Sequence, residues 1–138
     1  MASRLNPYIS FRDDAKAAME FYHRIFGGEL NVSTFGDMGM TDDGADLVMH
    51  AILETPAGFT LMAADTPPHM EFSAGSQISA SVSGDDDAEL RGYWEGLSDG
   101  GTVTVPLEKQ VWGDVFGMVT DRFGIAWMVN IAGDATQG

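Results

Sequence analysis

Asp14 to Gly28 reads DAKAAMEFYHRIFGG, and Asp87 to Gly101 reads DAELRGYWEGLSDGG. Each stretch opens on an acidic residue suited to a helix N-terminus, steps apolar side chains along one face, and closes on a glycine pair that can stop a helix. Ala15, Met19, Tyr22 and Phe26 share one face in the first stretch, and Ala88, Tyr93, Trp94 and Leu97 suit a helix in the second. Asp14 and Asp87, Ala15 and Ala88, Gly27 and Gly100, and Gly28 and Gly101 are all separated by the same 73 positions. A fixed offset of this kind predicts one supersecondary unit used twice.

Working outward from the helices, strands are expected on both sides of each. Residues 5–11 (LNPYISF) have strand composition, with Pro7 where a missing amide donor suits a sheet edge. Residues 29–35 form the next strand, 36–44 a mobile Gly- and Asp-rich loop, and 46–54 and 58–65 a hairpin turning at Thr55, Pro56 and Ala57. The second half repeats the order: a strand over 77–82, cap candidates at Asp85 to Asp87, a strand over 102–105, and a hairpin of 115–120 and 124–131 around Asp121 to Phe123. Leu61 and Met62 stand after Gly58 as Trp127 and Met128 stand after Gly124, which carries the symmetry to the last strand. The expected fold class is α+β. A single domain over 1–138 contains two βαβββ modules, approximately 1–66 and 75–133, whose curved mixed sheets frame a concave cavity. Modules of about sixty residues are marginal alone, because one sheet face stays open unless it is paired.

Composition narrows the function classes. Seven Lys and Arg against 21 Asp and Glu give a formal charge of -14, which repels phosphate backbones and anionic lipid, so neither nucleic acid nor membrane is expected as a partner. The absence of cysteine excludes disulfides, thiolate nucleophiles and cysteine zinc sites. No apolar run approaches the ~20 residues of a membrane span and no signal-peptide pattern opens the chain, so a cytoplasmic location is expected.

The paired layout, with VMHAIL, LMAAD, WGDVFG and DRFGIAWMVN in the places just described, resembles the PhnB-like branch of the vicinal oxygen chelate superfamily, the glyoxalase and bleomycin-resistance fold. The resemblance covers nearly the whole chain. Members of that branch often carry a demethylubiquinone methyltransferase label, yet βαβββ repeats leave no doubly wound sheet and no glycine-rich turn for a nucleotide-like methyl donor. Superfamily enzymes hold a divalent metal with His and Glu side chains from four concave-face strands. Matching by motif places those positions at Asn6, Met62, Gln77 and Met128, and two amides with two thioethers suit no hard or borderline divalent ion. The resemblance therefore implies the fold without its usual chelate. No cofactor is expected, and a divalent metal only through a non-standard site.

Other polar residues scattered among these strands are candidates for ligand contact. His50 is placed to act as general base or hydrogen-bond donor, against a structural or interfacial role. Asp65 is a candidate partner for a ligand amine or for His50, against a strand-end turn residue. Trp112 and Asp114 offer an aromatic wall and a carboxylate, against capping the core and fixing a turn. Tyr8 and Ser10 share a strand face with Asn6 by period-two alternation. These readings lead to metal-independent binding of a small apolar or aromatic molecule by a homodimer. The alternative is a lyase- or isomerase-type enzyme that uses His50 as acid-base group or a relocated metal site around His50 and Asp65.

Overall fold

The structure, a computed structural model, describes residues 6–39, 44–66 and 78–133. The chain divides into two compact units, Met1–Ala74 and Gly75–Gly138. In the first, β1 (Tyr8–Phe11), α1 (Ala15–Phe26), β2 (Glu29–Thr34), β3 (Val48–Glu54) and β4 (Thr60–Asp65) follow in order, with a short 3-10 turn at Gly36–Met38. In the second the order is β5 (Ala80–Gly84), α2 (Asp87–Ser98), β6 (Thr102–Lys109), β7 (Val115–Thr120) and β8 (Ala126–Ile131). Each unit is one four-stranded sheet, β1-β4-β3-β2 or β5-β8-β7-β6. In both sheets the first strand runs parallel to the last, and the other pairs are antiparallel. The α+β class and the repeated βαβββ order are those expected. The expected mobility of the 36–44 loop falls partly outside the described residues.

Helix α1 buries Ala15, Ala18, Met19, Tyr22 and Phe26 against Ala51, Leu53, Leu61 and Ala63 of β3 and β4. Each large side chain withdrawn from water in this way contributes about 1.5–3 kcal/mol before the entropy of ordering it is counted. Helix α2 does the same with Leu90, Tyr93 and Leu97 above Val119, Trp127, Val129 and Ile131. The helix holds the expected Ala88, Tyr93, Trp94 and Leu97; its buried stripe is Leu90, Tyr93 and Leu97 at three- and four-residue steps, while Ala88 is exposed and Trp94 half-buried. Helices cover one face of each sheet. By strand alternation the intervening residues lie on the other face, where β4 and β8 expose every second side chain in part.

The ends of these elements show what ties each unit together. The Asp86 side chain caps α2 by accepting from the Glu89 amide at 3.0 Å, as the sequence predicts. At α1 the expected cap is absent. Asp14 makes no side-chain cap bond, and Asp65 at the end of β4 accepts from the Ala15 amide at 2.9 Å instead. The other Asp65 oxygen accepts from the Val48 amide at 2.9 Å, so one carboxylate joins α1, β3 and β4. In the hairpin turn after β3, the Thr55 hydroxyl accepts from the Phe59 amide at 3.2 Å. In the matching turn after β7, buried Asp121 accepts from the amides of Phe123 at 2.8 Å and Ile125 at 3.1 Å, and from the Trp127 indole at 2.9 Å.

The recurring glycines have a shared cause. Gly28 lies against the Glu54 carbonyl and Gly101 against the Thr120 carbonyl, so closely that a Cβ at either position would overlap that oxygen. Strand β6 runs on to Lys109 through Pro106, beyond the expected end at Val105. It is an edge strand with register breaks at Val103/Val105 and Val105/Glu108, and there a residue without an amide proton is tolerated.

Candidate functional site

Strand alternation places Tyr8, Ile52 and Met62 on the face of the first sheet away from α1. Tyr8 stands opposite Met62, Met62 opposite Ile52, and Ile52 opposite Asn31. One row on, Ser10 stands opposite Ala64 and His50 opposite Ser33. The Tyr8 and His50 rings approach to 6.1 Å between centroids, tilted by 42°. The result is a half-exposed surface with an apolar centre at Ile52 and Met62, and an imidazole, a phenol and hydroxyls beside it. Among the described residues nothing hydrogen-bonds the His50 ring.

Asp65 is not part of this surface. It lies on the helix side, 5% exposed, with both oxygens engaged by backbone amides, so neither a ligand amine nor His50 is its partner. The cause is strand parity: His50, Ile52 and Met62 face one way, and Asp65 ends β4 on the other side. A relocated metal site around His50 and Asp65 is therefore not formed. Among the described residues no group of three His, Cys, Asp or Glu side chains could hold a metal ion.

In the second unit Met128 stands opposite both Ser81 and Met118, and Asn130 stands opposite Ser83 and Phe116. Met128 thus holds the place in its sheet that Met62 holds in the first, and Phe116 the place of His50. The Trp112 ring lies 6.2 Å from Phe116 and is 60% exposed, in the turn between β6 and β7. Asp114 accepts from the Asn130 amide group at 3.0 Å and from the Gly133 backbone at 2.8 Å. Donation by Asn130, then by Gly133 and the Trp112 side chain, holds its carboxyl below the usual carboxylate range. Asp114 is a clasp between the turn and the end of β8. It is not an open anchor, and Trp112 beside it remains an exposed aromatic surface.

The superfamily chelate finds no fit in these residues. Met62 and Met128 supply thioethers at matched central positions and Asn6 supplies an amide; these donors do not attract a divalent ion of the usual kind. Gln77 lies outside the described residues. Tyr8 opposite Met62 and Ser81 opposite Met128 keep the 73-residue offset through the first strands, so Ser79, not Gln77, is the counterpart of Asn6. Glu54 lies on the same face, a position that the sequence reading does not single out. It stands opposite Thr60 and Glu29 in the same parity as Ile52, and the alternation from His50 was the available signal.

The family model described as the Glyoxalase/Bleomycin resistance protein/Dioxygenase superfamily matches residues 4–129. The protein YjdN of Escherichia coli (strain K12) is 28% identical over 140 residues, covering 92% of this chain and 94% of its own length. Protein PA1353 from Pseudomonas aeruginosa is 37% identical with a TM-score of 0.87, the match covering 96% of this chain and 100% of that one. A PhnB protein from Bacillus cereus, described as a 3-demethylubiquinone-9 3-methyltransferase, is 22% identical with a TM-score of 0.76, covering 94% and 100%. At that identity the last comparison speaks to the fold alone.

Proposed function

Because the chain belongs to the glyoxalase/bleomycin resistance protein/dioxygenase superfamily, we propose that it uses this fold to bind a small apolar or aromatic molecule without a resident divalent metal. The observation that carries the reading is the pair Met62 and Met128, which occupy the centre of each open sheet face with soft, adaptable apolar side chains. Ile52 and Tyr8 extend that surface in the first unit, and Met118 and Phe116 extend it in the second. The working assembly we propose is a homodimer. No helix among the described residues is long and apolar enough to cross a membrane.

Elemental analysis and native mass spectrometry of one preparation, purified without chelator, test this. The expected result is less than about 0.1 divalent ion per chain, a dimer mass, and an organic molecule released on denaturation. About one tightly held divalent ion per chain would overturn the metal-free reading.

A second reading, acid-base catalysis of a lyase or isomerase step, is favoured by the placement of His50 on the open face, 6.1 Å from Tyr8 and without a hydrogen-bond partner among the described residues. On this reading the His50→Ala protein keeps its fold and its ligand but turns the released molecule over at least ~100-fold more slowly. Equal turnover by the two proteins removes His50 from any chemistry.

A further inference from the structure

At the end of the first sheet where β3 turns into β4 is a cleft of about 450 Å³, with Asn6, Pro7, Glu54, Phe59 and Thr60 in its lining. That volume suits a small molecule or a large part of one. The backbone donors of Thr55, Gly58 and Phe59 are already used. The Thr55 amide and hydroxyl both donate to the Phe59 carbonyl, at 3.1 and 3.0 Å, and the Gly58 amide donates to the Thr55 carbonyl at 3.0 Å. The Phe59 amide donates to the Thr55 hydroxyl at 3.2 Å.

The lining still offers the Glu54 carboxylate, which only accepts, together with the Asn6 amide and the Thr60 hydroxyl, each of which has an oxygen able to accept. Among the described residues none of these side chains has a hydrogen-bond or ion-pair partner, and no Lys or Arg among them lines the cleft. Glu54 also stands directly across from Glu29, a like-charge cross-strand pair that is unfavourable until a cation relieves it. The chain's formal charge of -14 favours the approach of such a cation.

We propose that this cleft is an ammonium subsite, taking the protonated amine of a ligand whose apolar body lies on Ile52, Met62 and Tyr8. The inference rests on the reading of the open face as a small-molecule site and names the charge of its ligand. An ammonium carries three donors and no acceptor, which complements Glu54, Asn6 and Thr60. A neutral alcohol fills the same space without the charge-assisted bond to Glu54. A carboxylate meets repulsion there.

Three probes of one shape test it: 2-naphthylmethylamine, 2-naphthylmethanol and 2-naphthoate, titrated into the full chain by calorimetry at low and high salt. The amine is expected to bind about tenfold more tightly than the alcohol, with the advantage shrinking as salt rises, and the acid more weakly than either. Glu54→Gln should erase the preference for amine over alcohol. Glu20→Gln, which changes the net charge equally from α1 on the opposite side of the sheet, should retain it. Equal binding of all three probes, or an amine preference surviving in Glu54→Gln, overturns the subsite while leaving apolar binding intact. Failure of every probe to bind overturns the subsite together with the reading beneath it.

Discussion

Replacing Gly28 with alanine is expected to cost about 3 kcal/mol or more of stability, enough to lower the melting temperature by roughly 10 °C in a domain of this size. Two independent penalties act at the site. Its φ of 94° is a conformation that L side chains rarely adopt, and the added Cβ would overlap the Glu54 carbonyl. That oxygen cannot move away cheaply, since Glu54 closes the β3–β4 hairpin opposite Thr60. Gly58 provides the control. Its φ of 97° imposes a similar backbone penalty, but nothing lies within 4 Å of a Cβ there, so Gly58→Ala should lose only about 1–2 kcal/mol. Thermal unfolding of both variants decides the matter, and midpoints within two or three degrees of each other (~2 °C) would show that the steric argument is wrong.

Asp65→Ala is expected to be comparably damaging, at about 2–5 kcal/mol, because it strands two buried amide donors. The Ala15 and Val48 amides have Asp65 oxygens at 2.9 Å, and the residue is 5% exposed, so water does not readily replace it. Asp65→Asn keeps one acceptor oxygen and should fall between the wild type and alanine. Urea unfolding gives the totals. Hydrogen exchange adds the location, since both amides should lose protection in the alanine variant before the rest of the sheet does. A loss below about 1 kcal/mol with both amides still protected would refute the role of Asp65 as a three-element tie.

Asp65 also marks where reading the sequence gives out. The helices, the hairpins and the repeat were legible, because apolar spacing, paired glycines and a constant offset are local signals. The residue that caps α1 is not local: Asp65 is fifty positions from Ala15 in sequence (|i−j|=50), while the neighbouring Asp14 makes no cap bond. Strand parity was legible within one strand, for Tyr8 and Ser10, but not between strands, where pairing puts Tyr8 opposite Met62 and Met62 opposite Ile52. The same rule applied across β3 and β4 together would have separated Asp65 from His50 and added Glu54. Asp114 reads equally as ligand anchor or turn clasp in the sequence, because the partners that decide it, Asn130 and Gly133, are sixteen and nineteen residues away. Ser79 replaced Gln77 for a simpler reason, since the offset set by the helices also holds for the strands before them.

Strand β6 is built against continuation of its sheet by another strand. An exposed edge normally invites a foreign strand to continue the ladder, and that route ends in uncontrolled polymer growth. Here Pro106 removes a donor from the middle of the edge and two breaks in register spoil its periodicity, so an incoming strand would find no uniform row of partners. Growth by strand addition is thereby discouraged along β6. What meets this edge is then selected by the size and charge of its side chains and not by the indiscriminate backbone.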